Sequence, residues 1–309
     1  MQFKRMMRTL GEGLPEPIRQ RVLDTSRKPY LIKAPPYVNA SAGVRVLHLL
    51  CHHLNAIDER AYVIAEHFRE LNPKLDTPWV TPRFAHFLAK KGAIVVYPEI
   101  ATGNEFGART VVRYVLNRPG LLGGDPVYDQ RELVFTHSRT LNPFVQNEIR
   151  GVLYLPSTEP EIFHNHGSAT RDLISYYVGK GSYRQGFVDP SAEDVVAITR
   201  TPVFPDTREK LAALLRRSKV FYCFDMFTAL HHEAVLCGCP VVLIPDQHYS
   251  PEQIQGQELG LDGITYENTP QAVAAARERV HLAREKFDSV VGLFKDQLHR
   301  FVDLTQAGP

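Results

Sequence analysis

Short apolar runs with a β-branched bias alternate along this chain with segments whose apolar residues recur every three or four positions. The first cycle opens with a strand over Tyr30–Lys33, a loop over Ala34–Gly43 and a helix over Val44–Leu54, where Val46, Leu47 and Leu50 share one face. Further strands are predicted over Ala61–Ala65, Ala93–Tyr97, Leu133–Thr136 and Val152–Leu155. Helices are predicted over Thr81–Lys90 and over Gly107–Leu116, the second ended by Asn117-Arg-Pro-Gly120. The segment Pro156–Arg171 breaks the rhythm and reads as a linker. A second cycle follows, with strands over Leu173–Val178, Val195–Thr199, Val220–Phe224 and Val241–Ile244. Its helices fall at Asp206–Ser218, with Asp206 and Glu209 as a capping box, at Thr228–Leu236 and at Pro251–Leu259. From Pro270 to Thr305 an apolar stripe in steps of three and four predicts one helix about 50 Å long. A helix of that length either leans on two domains or pairs with a second copy as a coiled coil.

Two successive α/β cycles predict two Rossmann-like parallel sheets, each covered by helices, that face each other across a cleft. Ligands of such sheets bind at the carboxyl ends of the strands, so the cleft is the expected site. The expected division is a first domain over residues 1–158 and a second over 159–285. The helix over 286–309 is expected to pack back on the first domain and bridge the two.

Composition narrows the picture by exclusion. The 309 residues are 44% hydrophobic and 23% charged, which fits a globular chain and not a disordered or collagen-like one. No apolar run approaches a membrane span, and no signal peptide is visible at Met1–Leu10. Four scattered cysteines form neither a disulfide framework nor a zinc knuckle, and a cytoplasmic setting is expected. The net charge of +2 argues against a nucleic-acid partner, but it is uneven: residues 1–33 carry +5. In that head Phe3, Met6, Met7 and Leu10 share one helical face flanked by Lys4, Arg5 and Arg8. This is the pattern of a peripheral anchor on the anionic inner face of a membrane, or of a terminal helix packed on the body of the protein.

The most informative stretch runs from Ser218 to Val242. A strand ends at Asp225, a turn over Phe227, Thr228 and Ala229 opens a helix, and Glu233 sits on that helix before Gly238 and Pro240. The turn presents backbone N–H groups and the positive end of the helix dipole to the mouth of the sheet, where a phosphate would bind. Glu233 is placed to meet the hydroxyls of a ribose and Asp225 those of a sugar beyond the phosphates. This stretch resembles the donor site of retaining GT-B-fold glycosyltransferases of the group 1 type. Their pattern is Glu-x7-Glu followed by Ala-x3-Gly-x-Pro-Val-Val. Asp225-x7-Glu233 matches with Asp for the first Glu, and Ala234, Gly238, Pro240, Val241 and Val242 match as they stand.

The resemblance implies a metal-independent transfer of a sugar, with retention, from a nucleotide-sugar co-substrate to a glycan or lipid-linked acceptor, and no cofactor. It implies phosphate contacts from Gly179, Lys180 and Gly181 in the loop after the first strand of the second cycle, and from Arg200. On the acceptor side, the loop ending in Gly43 lets a ligand approach the backbone. Glu99 and Asn104 follow a buried strand and His137 follows the next one, so all three are expected to face the cleft, His137 and Glu99 as catalytic candidates. No metal is expected, because the adjacent pairs His52-His53 and His231-His232 diverge on a helix and no Asp-x-Asp motif lies on a loop. Two alternatives stay open: a sugar-nucleotide epimerase using Glu99 and Asp225 as acid and base, and a non-catalytic nucleotide-sugar-binding scaffold.

Overall fold

The computed structural model describes residues 27–166 and 170–308; the basic head over Phe3–Leu10 lies outside them. Two sheets organise the chain. The first holds seven strands in the order β3-β2-β1-β4-β5-β6-β7: Tyr30–Lys33 (β1), Ala61–Ile64 (β2), Trp79–Val80 (β3), Ile94–Pro98 (β4), Thr110–Val115 (β5), Leu133–Thr136 (β6) and Ile149–Val152 (β7). Every pair in it is parallel. The second holds six: Leu173–Tyr177 (β8), Val195–Arg200 (β9), Val203–Phe204 (β10), Ser218–Cys223 (β11), Val241–Leu243 (β12) and Ile264–Thr265 (β13), in the order β10-β9-β8-β11-β12-β13. Only the short β10 runs antiparallel there, against β9. These are the two Rossmann-like halves the periodicity predicts.

Alternation along the strands builds the first half. Tyr30, Ile32, Ile94, Val96, Val112 and Tyr114 enter one core with Val46, Leu50 and Leu54 of helix α1 (Ala42–Ala56). Leu31, Val95, Tyr97 and Val111 face the other way, onto Ala85 and Ala89 of α2 (Pro82–Lys90). Ser41 and Thr81 cap these two helices by accepting from Val44 N–H and Phe84 N–H. In the second half, Phe221, Cys223, Val241 and Leu243 pack on α3 (Arg208–Arg217) and α4 (Leu230–Leu236). A four-residue helix, α5 (Pro251–Ile254), follows β12.

Three expectations need correction. Thr110–Val115 is a strand between β4 and β6, not a helix. Its residues alternate between the two cores, and the one charge in it, Arg113, is buried against Glu132 at 2.6 Å. The cap of α3 is Thr207, whose hydroxyl accepts from Lys210 N–H, while Asp206 is drawn off into an exposed pair with Lys210. The long C-terminal helix is two: α6 (Pro270–Arg279) and α7 (Leu282–Ala307). At the joint the bonds tighten to three residues, Val280 N–H to Arg277 C=O and Ala283 N–H to Val280 C=O. α7 alone bridges the halves. Ala283, Phe287 and Val290 are buried with the second sheet, and Phe294, Leu298, Phe301 and Val302 with the first. Its apolar stripe is therefore covered within the chain and is not left for a coiled coil. Among the described residues no helix is long and apolar enough to cross a membrane.

Candidate functional site

The carboxyl ends of both sets of strands meet at a cavity of about 290 Å³. Gly43 reaches it from the first turn of α1, just past the loop expected to hold it, and Glu99, Leu116 and His137 from the loops after β4, β5 and β6. Lys180, Arg200, Phe227, Thr228 and Ala229 reach it from β8, β9 and β11. A smaller space of about 40 Å³ adjoins it, lined by Arg45, Arg200, Arg208, Thr228, Ala229 and Glu233.

Asp225, fully buried beyond β11, organises the wall on the second sheet. Lys180 Nζ donates to its Oδ2 at 2.6 Å and to Phe227 C=O at 3.1 Å, and Phe227 N–H donates to Oδ1 at 3.2 Å. The two glycines beside Lys180 make this approach possible. Gly179 has φ +57°, and a Cβ there would sit 2.5 Å from Asp225 Oδ2; a Cβ on Gly181 would run into Phe224 C=O. The loop thus holds a lysine over a buried carboxylate with its backbone flat against the strand end.

Glu233 is placed differently from what the motif suggests. It is 1% exposed and lies between two arginines, Arg45 of α1 at 3.0 Å and Arg208 of α3 at 2.8 Å. Burial alone would push its carboxyl up, yet Arg208 and Arg45 hold it below the usual range. Arg208 also pairs with Glu159 at 2.8 Å and lies over the Phe163 ring. Glu233 Oε2 is buried without a hydrogen-bond partner. The Arg45–Glu233 pair joins the two halves, and two more polar links flank the cavity. Glu258 accepts from Ser138 Oγ at 2.6 Å and from Arg139 N–H at 2.7 Å. Tyr249 OH donates to Asn117 Oδ1 at 2.6 Å.

The wall on the first sheet carries two titratable groups. Glu99 is 4% exposed, and its Oε2 accepts from Leu116 N–H at 3.0 Å. Burial pushes its carboxyl up to about 7. His137 is pushed down to about 4 by burial, so it is neutral at pH 7. Its tautomer follows from its neighbours. Tyr114 OH donates its one proton to Leu153 C=O at 2.6 Å, so its oxygen accepts from His137 Nδ1–H at 3.1 Å. Nε2 then carries the lone pair, and the ring, stacked on Tyr154, lines the cavity.

Asn104 is a correction. It lies off the cavity and braces its own loop, accepting from Tyr97 OH and Ala108 N–H and donating to Ala108 C=O. Arg45, Arg208, Ser138 and Glu258 were not singled out in the sequence. None stands in a motif, and each becomes meaningful only when the two halves meet. Among the described residues no group of three or more His, Cys, Asp or Glu side chains is set to hold a metal ion.

No protein-family model and no curated protein matches the chain. Solved structures with a similar layout include the glycosyltransferase SnogD from Streptomyces nogalater, at 13% identity over 86% of this chain and 96% of that one, TM-score 0.41. CalG4, the calicheamicin glycosyltransferase, is 13% identical over 91% of this chain and 98% of its own, TM-score 0.42. An alpha-glucosyltransferase in complex with UDP and a 13-mer DNA is 10% identical over 90% of this chain and 94% of its own, TM-score 0.42. Likeness at this level assigns no chemistry to the present chain, whose site is read from its own residues.

Proposed function

We propose that the protein is a metal-independent glycosyltransferase that moves a sugar, with retention, from a nucleotide-sugar to an acceptor hydroxyl. The observation that carries this reading is the cavity between the two sheets, with one wall built as an anion site and the other not. On the second sheet, Lys180, Arg200 and the turn at Thr228 and Ala229 line the part of the cavity where a diphosphate would leave. Asp225 is fully buried and off the cavity lining, with its oxygens taken by Lys180 and Phe227 N–H, so in this reading it holds the lysine and does not itself meet the sugar as the motif suggested. In the reaction the bond between the sugar's C1 and the phosphate oxygen breaks, and the diphosphate departs with the electron pair. The acceptor oxygen bonds to C1 and gives up its proton to the departing diphosphate oxygen.

Glu233 meets the ribose in this reading only after Arg45 withdraws, since a space of about 40 Å³ holds little more than water. Donor entry is therefore coupled to a parting of the two halves at the Arg45–Glu233 pair. One observation favours a second stereochemical reading. The bare Nε2 of a neutral His137 is equipped to take the acceptor's proton, as direct displacement with inversion requires.

The test is a thermal-shift panel of nucleoside diphosphates and their sugars, followed by NMR of the product's anomeric proton. The reading expects one nucleotide series to raise Tm, because a ligand that binds only the folded chain stabilises it. It expects the donor's anomeric configuration in the product; the opposite configuration selects His137 as base. A panel in which nothing raises Tm removes the function.

A further inference from the structure

We propose that Asn117 touches the transferred sugar: its side-chain amide donates to a hydroxyl oxygen of that sugar, and Tyr249 from the other half holds the amide in place. The inference rests on the sugar-transfer reading of the cavity and names a contact within it that no motif indicated.

Asn117 lies just beyond β5, is buried and lines the cavity. Its orientation is fixed. Oδ1 accepts from Arg118 N–H at 2.8 Å and from Tyr249 OH at 2.6 Å. A backbone N–H can only donate, so the amide atom that faces it is the oxygen and not the nitrogen. Nδ2 is the other arm of the amide. It bonds to nothing among the described residues and is not one of the atoms shut in without a partner, so it opens on the cavity. N–H donors on a buried side chain call for an acceptor, which a ligand of the cavity supplies.

The residue that fixes Asn117 belongs to the wall on the second sheet. Tyr249 is 3% exposed, and its ring stacks on Phe227 with centroids 5.3 Å apart and meets Phe144 of the first half edge-on. Phe227 C=O accepts from Lys180 Nζ, and Phe227 N–H donates to Asp225. Asp246 ties the same pieces together, accepting from Met226 N–H at 3.2 Å and from Tyr249 N–H at 2.9 Å. One aromatic side chain therefore separates the Asn117 amide from the residue that carries Lys180. That sets Nδ2 at the end of the cavity beside the diphosphate's lysine, where the group joined to the diphosphate lies. With Asp225 off the cavity lining, recognition of the sugar's hydroxyls falls to groups that reach the cavity. A neutral amide donor suits a hydroxyl oxygen and adds no charge next to the diphosphate.

The experiment is calorimetric titration of the full chain with UDP, GDP, ADP and TDP, and with UDP-glucose, GDP-mannose, ADP-glucose and TDP-glucose. It compares the parent, Tyr249→Phe, and Tyr249→Phe combined with Asn117→Leu. The single variant keeps the stacked ring, and the double variant replaces both bonded partners by apolar groups of similar shape, which spares the fold. The expected result is that the nucleotide-sugar bound by the parent loses about fivefold in affinity in the double variant and about twofold in Tyr249→Phe. Its bare nucleoside diphosphate should bind all three chains alike, a selectivity that a merely structural role would not produce. Equal losses for nucleotide and nucleotide-sugar, or an unchanged nucleotide-sugar affinity in the double variant, overturn the contact and leave the sugar-transfer reading standing. A parent that binds none of these ligands removes that reading, and the contact with it.

Discussion

The two walls of the cavity are built on opposite principles. The wall on the second sheet is charged and crowded, with Lys180 over the buried Asp225 and glycines at 179 and 181 where any side chain would collide. The wall on the first sheet is looser. A Cβ on Gly43 would meet only the Leu116 side chain, at an ordinary 3.7 Å, and the polar lining there includes Glu99, His137, Tyr154 and Thr158. Fixed charge set in tight backbone suits a ligand that is always the same, such as a diphosphate. A looser wall that mixes aliphatic side chains with Glu99, His137 and Tyr154 leaves room for a second, more variable partner.

The sharpest way to break this contrast is at the link between the walls. Glu233→Ala leaves the buried Arg45 without an acidic partner and Arg208 with Glu159 alone, and the expected loss is about 3–5 kcal/mol of unfolding free energy in a urea titration. A variant as stable as the parent would show that the pair is not a structural joint. Glu99 supplies the next effect. Its folded pKa of about 7 lies above the ordinary 4.5, so folding favours the protonated form. The stability this lends is complete below pH 4.5 and fades as pH rises through about 7, a change of about 3 kcal/mol. Glu99→Gln should flatten that dependence; an unchanged slope would mean that Glu99 is not the group responsible.

Smaller effects test the walls directly. Gly181→Ala should cost about 1–3 kcal/mol, because its new methyl meets backbone, whereas Gly43→Ala should cost nothing and gain up to about 1 kcal/mol. Equal responses of the two in parallel thermal melts would erase the difference in tightness. Tyr114→Phe removes the oxygen that fixes the His137 tautomer. The nitrogen NMR shifts of the His137 ring should then move toward a tautomer mixture, with a drop of about tenfold in kcat and little change in donor KM. Ring shifts identical to those of the parent would detach Tyr114 from the site.

What could be read from the sequence follows the same divide. The turn from Asp225 to Glu233 is local, so a strand, a turn and a helix in one continuous stretch make its order readable, while the partners Lys180, Arg45 and Arg208 that hold its carboxylates come from elsewhere. Gly179 and Gly181 were legible for the same reason, although their close contacts are with Tyr177, Phe224 and Asp225 and not yet with a phosphate. The first wall is assembled from four loops whose residues have nothing local in common, so Glu99 and His137 stood out only by following strands. Asn104 obeyed the same rule and turned into its own loop. Thr110–Val115 was misread because a good helix stop follows it, while its two-residue alternation shows only once both cores are known. Arg45 looked like an ordinary helix residue because its partner Glu233 lies 188 positions away.

The central claim is that an anion-binding wall and an acceptor wall act on one bond between them. Its most direct test is the release of free nucleoside diphosphate from a nucleotide-sugar, followed with and without a hydroxylated acceptor, in the parent and in Lys180→Ala. The account predicts release that depends on the acceptor and falls at least tenfold in Lys180→Ala. Release that ignores the acceptor, or that survives loss of Lys180 unchanged, would contradict it.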